Sequence, residues 1–367
     1  MRKQAIIIIV FIVCFLFPLS SYAQDLSALK IGVILPLSGD AAFWGSNPKK
    51  GIELALSQLQ SSGSNFKAPT IIFEDDSCDP KRAVTAFKKL SQIDKVNLIL
   101  GPACSSASLA VAPLAEKDKI PLFVFSEADA LSESGEYIFR LWIPNGKQAK
   151  LLAKYIYQEK KLTSVAIIYI KNAYGEDFKK GFQEEFSTLG GTVIAEEEYT
   201  AEDANPKSQL LKIKSKKPQA LILASYIADG GNILKIAKSI KLTDNYFASS
   251  TVNSPDFFKS TGDLTEGLVI FDINDSTDEN FKKDWVNKNQ EKWPGMQSGA
   301  SIFYDFFNFI RLAVSEVGIK SEDIKNYFIS GKSYQGKSMK LQFDSKGDLT
   351  AEHTGFIVKN GSLEKIK

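Results

Sequence analysis

Near-continuous apolar runs recur along the chain, and each is followed by a segment whose apolar positions return every three or four residues. Runs such as "SVAIIYI" and "QALILAS" lack the alternation of a strand with one wet face. They therefore predict strands buried on both sides of a parallel sheet. Strands are predicted at 30–35, 70–74, 96–100, 121–125, 165–170, 193–199, 220–224, 246–249 and 267–272, with helices at 48–60, 80–92, 105–116, 147–160, 175–189 and 230–239 between them. The fold class this alternation defines is α/β, doubly wound.

The alternation pauses at "FRLWIPNGKQ" (139–148), where an extended segment, a proline and a glycine precede a new series. This reads as the first crossing between two lobes. Beyond residue 272 the pattern changes to long helices at 280–292 and 298–317. It ends on "SMKLQFDSKGDLTAEHTGFIVK", read as two strands around a polar turn at Lys346 and Gly347. A chain that returns in helices and finishes on strands crosses between its lobes more than once. At ~100 to 200 residues per domain, two domains are expected. Their limits are taken as 28–142 with 273–350, and 143–272 with 351–367.

The opening "MRKQAIIIIVFIVCFLFPLSSYAQDL" has two cations, an apolar run and small residues at Ser21 and Ala23. It is expected to be a secretory signal peptide (1–23) cleaved after Ala23, since the run falls short of the ~20 residues a membrane span needs. Without Arg2 and Lys3, the 45 lysines and arginines come level with the 43 aspartates and glutamates. A neutral chain without a basic cluster argues against a nucleic-acid partner. With Cys14 in the leader, Cys78 and Cys104 remain in a chain bound for an oxidising compartment, and a disulfide is the leading reading. A zinc site needs about four ligands. The single histidine, His353, lies far along the chain, so neither metal nor cofactor is expected.

Residues 331–338 read "GKSYQGKS", a literal phosphate-loop pattern. That chemistry needs a strand before the loop and a helix after it. Here the helix-period "SEDIKNYFIS" precedes and "SMKLQF" follows, so a glycine-rich turn is expected instead. No G-x-S-x-G is present, and any Ser-His-Asp arrangement would rest on His353 alone.

In open α/β sheets ligands bind beyond the carboxyl ends of the strands. The residues there are Trp44, Ser105, Ser126, Glu127, Tyr174, Tyr226 and Ser250: hydroxyls, aromatics and one carboxylate, suited to a small polar-organic ligand. Each has an ordinary alternative: packed loop aromatics, a helix cap for Ser105, turn serines, and a solvated charge at Glu127. Their shared placement favours a site. Ser105 at a helix start also offers an anion the first-turn N–H groups and a hydroxyl.

The segments "KIGVILPLSGDAAFWGSNPKKGIELAL", "FEDDSCDPKRAV", "LILGPACSSAS", "IPLFVFSEADA", "NAYGEDFKKGF", "LTEGLVIF" and "FDSKGDL" resemble the leucine/isoleucine/valine-binding periplasmic proteins, type I substrate-binding proteins of ABC importers. The resemblance implies two α/β lobes joined by three crossings and closing on a ligand by a hinge. It implies a Cys78–Cys104 disulfide, a ligand carboxylate on Ser105, and Trp44 facing Tyr174 and Tyr226. Two positions depart from the family. Ala128 stands where a threonine usually holds the ligand, and Ser250 where a glutamate often meets its ammonium. Glu127 either replaces that anion or the ligand lacks an ammonium. The function expected is an exported, periplasmic, monomeric receptor that delivers an amino acid or related small carboxylate or amide to a membrane permease. A sensor presenting its closed form to a signalling receptor is the alternative, and an exported enzyme a lesser one.

Overall fold

The computed structural model describes residues 25–62, 66–200, 205–274 and 276–366. The expected leader and its cleavage point lie outside these residues. The first lobe is built from β1 (Lys30–Leu35), α1 (Phe43–Ser61), β2 (Thr70–Asp75), α2 (Pro80–Lys88), β3 (Leu98–Leu100), α3 (Ser105–Asp118), β4 (Leu122–Val124) and β5 (Ile138–Arg140). Its five strands are all parallel, in the order β2-β1-β3-β4-β5. The second lobe follows with α4 (Asn145–Lys154), β6 (Ser164–Ile170), α5 (Ala173–Thr188), β7 (Thr192–Tyr199), α6 (Lys207–Ser215), β8 (Ala220–Ala224), α7 (Ile227–Ser239), β9 (Tyr246–Ala248), α8 (Pro255–Thr261) and β10 (Val269–Ile273).

The chain then returns to the first lobe as α9 (Glu279–Asn289), α10 (Ala300–Val317), α11 (Ser321–Ile329) and the small antiparallel pair β11 (Ser333–Gln335) and β12 (Lys340–Gln342). It ends in the second lobe with β13 (His353–Lys359) and β14 (Ser362–Lys365). These add antiparallel to β10, completing the order β14-β13-β10-β9-β8-β6-β7.

The continuous apolar runs are explained by cores on both faces of each sheet. Along β1, Ile31, Val33 and Leu35 join a cluster with Ile52 of α1 and Phe303 and Phe306 of α10. Ile34 points the other way, into a cluster with Phe87 of α2 and Val111 of α3. The returning helices are thus the outer layer that covers one face of the first sheet. Phe123 of β4 holds them there, its ring 4.6 Å from Phe306 and 4.9 Å from Phe328.

Two expectations are corrected. The first helix begins at Phe43, not at residue 48, because Ala42 and Phe43 carbonyls accept bonds from Ser46 Oγ and Asn47 Nδ2 and extend it one turn back past Pro48. The segments on either side of Lys346 and Gly347 do not form one hairpin: β12 pairs with β11 in the first lobe and β13 with β10 in the second. A single bridge, Phe343 to Leu349, closes the turn between them. The "GKSYQGKS" segment does cradle a carboxylate, but the protein's own. Asp305 of α10 accepts from the Lys337 and Ser338 N–H groups (2.7 and 2.8 Å) and from Ser338 Oγ.

Candidate ligand site between the lobes

The strand order reverses beside the first strand of each lobe: β1 lies between β2 and β3, and β6 between β7 and β8. Connections leaving opposite faces there open a crevice past the carboxyl ends of the strands. The two crevices face each other. Trp44 meets Tyr226 with ring centroids 5.3 Å apart, and the Asp129 N–H donates across the gap to Asp177 Oδ2 at 2.9 Å.

Trp44 and Tyr174 reach the cleft by the same device. A Cβ on Gly45 would stand 1.9 Å from the Pro36 carbonyl oxygen, and one on Gly175 would stand 2.0 Å from that of Ile170. Only glycine lets α1 and α5 start so close to the strands that feed them. In both lobes the residue before that glycine is an aromatic turned into the cleft. Tyr174 donates from its hydroxyl to Ser249 Oγ (2.5 Å) and shares a bond with Thr251 Oγ1 (2.7 Å). Thr251 Oγ1 donates in turn to the Ser225 carbonyl. Tyr226 stacks on Tyr174 at 5.3 Å, and its hydroxyl accepts from Asn172 Nδ2.

On the first lobe, Cys104 caps α3 in an extended conformation and is bonded to Cys78, with Cα atoms 5.5 Å apart. Ser105 then opens the helix. A relay runs to it from behind: Ala128 N–H donates to Ser126 Oγ at 3.4 Å, and Ser126 Oγ to Ser105 Oγ at 3.4 Å. With an acceptor lone pair so engaged, the Ser105 hydroxyl proton is free to be donated into the cleft. Ala128 itself sits in the apolar cluster beneath α3, away from the cavity.

Among the described residues, Glu127 carries the one carboxyl in the cavity wall. Its Oε1 accepts from Gln148 Nε2 (3.3 Å) and Ser250 Oγ (3.4 Å), while Oε2 has no hydrogen-bond partner. The Trp142 indole N–H lies beside the carboxyl without making a well-directed bond. Burial, reinforced by the negative charge of Asp272, pushes Glu127 up to about 8, so at neutral pH the unliganded cleft holds it protonated. Asp272 accepts from Asn253 Nδ2 (2.7 Å) and Gln297 Nε2 (2.9 Å). Arg140 donates to the Glu127 backbone carbonyl at 3.4 Å, but its charge is paired with Asp348 at 2.9 Å.

Of the residues singled out in the sequence, Trp44, Ser105, Glu127, Tyr174 and Tyr226 line the cavity. Ser126 and Ser250 stand behind it as partners of Ser105 and Glu127. The wall also contains Phe125, Trp142, Thr251 and Gln297, which sequence reasoning passed over. Phe125 and Thr251 adjoin predicted strand ends, and Trp142 lies in the predicted crossing. Gln297 belongs to the returning chain, where no pattern points to a site. His353, at the start of β13, is not part of the wall, and burial holds it down at about 4, neutral. Among the described residues no cluster of metal-ligating side chains is present, and no helix is long and apolar enough to cross a membrane.

Two α/β lobes, one on a parallel and one on a mixed sheet, joined by three crossings with an aromatic and hydroxyl-lined cavity at facing switch points, define the two-lobed type I binding-protein architecture. The chain belongs to the periplasmic binding protein family, whose model matches residues 28–359. It is 23% identical over 344 residues to the leucine-, isoleucine-, valine-, threonine- and alanine-binding protein of Pseudomonas aeruginosa, covering 90% of this chain and 89% of that one. It is 22% identical over 330 residues to Leu/Ile/Val-binding protein homolog 3 of Brucella melitensis, covering 88% and 89%. Two solved structures share the fold. One is the branched-chain amino acid transporter substrate binding protein of Streptococcus pneumoniae in complex with isoleucine (TM-score 0.81, 21% identity, 92% of this chain and 97% of that chain). The other is an ABC transporter solute binding protein from R. palustris in complex with benzoate (TM-score 0.82, 20% identity, 92% and 95%).

Proposed function

We propose that the protein is an exported receptor that binds a small organic solute between its lobes and delivers it to the permease of an ABC importer. The observation that carries this reading is the convergence of Trp44, Ser105, Tyr174 and Tyr226 on one interlobe cavity, each set by the loop that follows a strand. The relatives support it, since the names they carry are those of binding proteins rather than enzymes. On this reading residues 1–23 are an export signal. The lobes comprise 28–142 with 273–350 and 143–272 with 351–367, and the receptor acts as a monomer in the periplasm.

Ser105 is assigned the ligand's anionic or carbonyl group, because it opens α3 at the cavity wall, where a hydroxyl and the first-turn N–H groups are the available donors. The aromatic trio is assigned the closing contact. The test is a thermal-shift screen of the chain from residue 24 onward against amino acids, amines and aromatic acids. A ligand at a hundred times its Kd adds about 2.7 kcal/mol of stability. At least one compound should raise Tm, and Tyr226→Ala should abolish the shift. No hit across the panel, or turnover of any compound, would overturn the reading.

A further inference from the structure

The relatives bind both zwitterionic amino acids and ammonium-free aromatic acids, so the family leaves the ligand's charge open. We propose, resting on the solute-binding reading above, that this cleft takes a ligand with a cationic amine, and that the amine pairs with Oε2 of Glu127. Three observations converge on it.

Glu127 is buried in the cavity wall with Oε2 unpartnered, although its other oxygen holds two donors. A buried carboxylate oxygen without a donor is costly, so without a ligand this oxygen keeps a proton, and a ligand ammonium donating there takes the proton's place. No cationic side chain stands in the wall to do so. Arg140 is neutralised by Asp348 and, of Glu127, reaches only the backbone carbonyl.

The surroundings are acidic. Asp272 faces Glu127 from the end of β10 and is held by Gln297 and Asn253. Asp229 of α7, whose charge is felt by Tyr226, and Asp40 of the loop after β1 repel each other across the lobes. An anion without a counter-charge would enter against the charges of Asp272, Asp229 and Asp40, whereas a cation is drawn by them.

The walls suit a cation as well. Trp44, Tyr226 and Tyr174 form one contiguous aromatic surface, with Phe125 and Trp142 in edge contact on the first lobe. Ring faces attract an ammonium in a water-poor site. The hydroxyls of Tyr174 and Tyr226 stay protonated, both raised by burial, so neither competes as an anion.

The proton balance follows. In the unliganded protein the Glu127 carboxyl carries a proton at neutral pH. An ammonium arriving at Oε2 favours the carboxylate, and that proton leaves to solvent, so one charge enters and one proton departs. The groups that set this equilibrium are Asp272 and Arg140 by charge, and Gln148, Trp142 and Ser250 as donors beside the carboxyl.

The test is calorimetry with probes that keep one side chain and lose either the carboxylate or the ammonium: leucine, 3-methylbutylamine and 4-methylpentanoate, then phenylalanine, phenethylamine and 3-phenylpropanoate. Each is titrated into the wild type and Glu127→Gln, in two buffers of different ionisation heat. Binding is expected only for probes bearing an ammonium, with about one proton released near pH 7 and affinity rising toward about pH 8. Glu127→Gln, close in shape to the protonated carboxyl, should fold, weaken the amines roughly ten- to hundredfold, and abolish proton release. An ammonium-free acid binding as well as its amine counterpart would overturn the assignment. Amine binding without proton release in the wild type would do the same. A panel in which nothing binds contradicts the solute-binding reading itself and takes this assignment with it.

Discussion

The two lobes present the same frame to the cleft and fill it with different chemistry. After the first strand of each comes an aromatic followed by glycine, Trp44-Gly45 and Tyr174-Gly175. After the next strand inward comes a helix opened at the cleft, by Cys104 and Ser105 in one lobe and by Tyr226 in the other. After the third comes Glu127 in one, Ser250 and Thr251 in the other. The first lobe places a disulfide-held helix start and a buried acid there. The second presents neutral phenols fixed by a hydroxyl network through Ser249 and Thr251. Strand order decides where a site is, and the residue in each post-strand position decides what it binds.

This contrast can be broken one element at a time. Arg140 ties the first crossing to the third through Asp348, with both side chains largely buried. Arg140→Met should cost about 3–5 kcal/mol by leaving that carboxylate without its partner, measured by chemical denaturation. Replacing Cys78 and Cys104 with serine should cost about 3–4 kcal/mol, confined to the first lobe. Hydrogen exchange should then find α3 loosened and α5 unchanged.

Smaller effects probe the cleft itself. Ser105→Ala should weaken a carboxylate- or carbonyl-bearing ligand by roughly ten- to hundredfold in calorimetry. Unliganded stability should fall as pH rises from about 4.5 to about 8. The folded state holds the Glu127 proton over that window and the unfolded state does not. The slope is at most about 1.4 kcal/mol per pH unit from this group, and Glu127→Gln should flatten it in thermal melts. Tyr174→Phe, which removes one hydroxyl from the second lobe's network, should cost only about 1 kcal/mol.

The α/β alternation, most strand positions and the first crossing were legible because strands buried on both faces are apolar at every position, as "SVAIIYI" shows. The fate of the final strands was not. β12 and β13 lie a few residues apart around a turn that looks like a hairpin, and only the pairing partners offered by other lobes separate them. The site was partly legible for a related reason. Trp44, Ser105, Glu127, Tyr174 and Tyr226 all lie in or at the end of the loop that follows a strand, whereas Gln297 reaches the cavity from the returning chain and Trp142 from the crossing. Periodicity marks where strands end, but it carries no information on what long-range returns bring to that end.

The claim that this cleft holds one small solute is tested most directly by native mass spectrometry of the protein purified without denaturation. The account predicts a single small molecule per chain, retained in Glu127→Gln at reduced occupancy and lost when Ser105 and Tyr226 are both replaced with alanine. A bare polypeptide mass that stays bare after incubation with amino acids, amines and aromatic acids would contradict it.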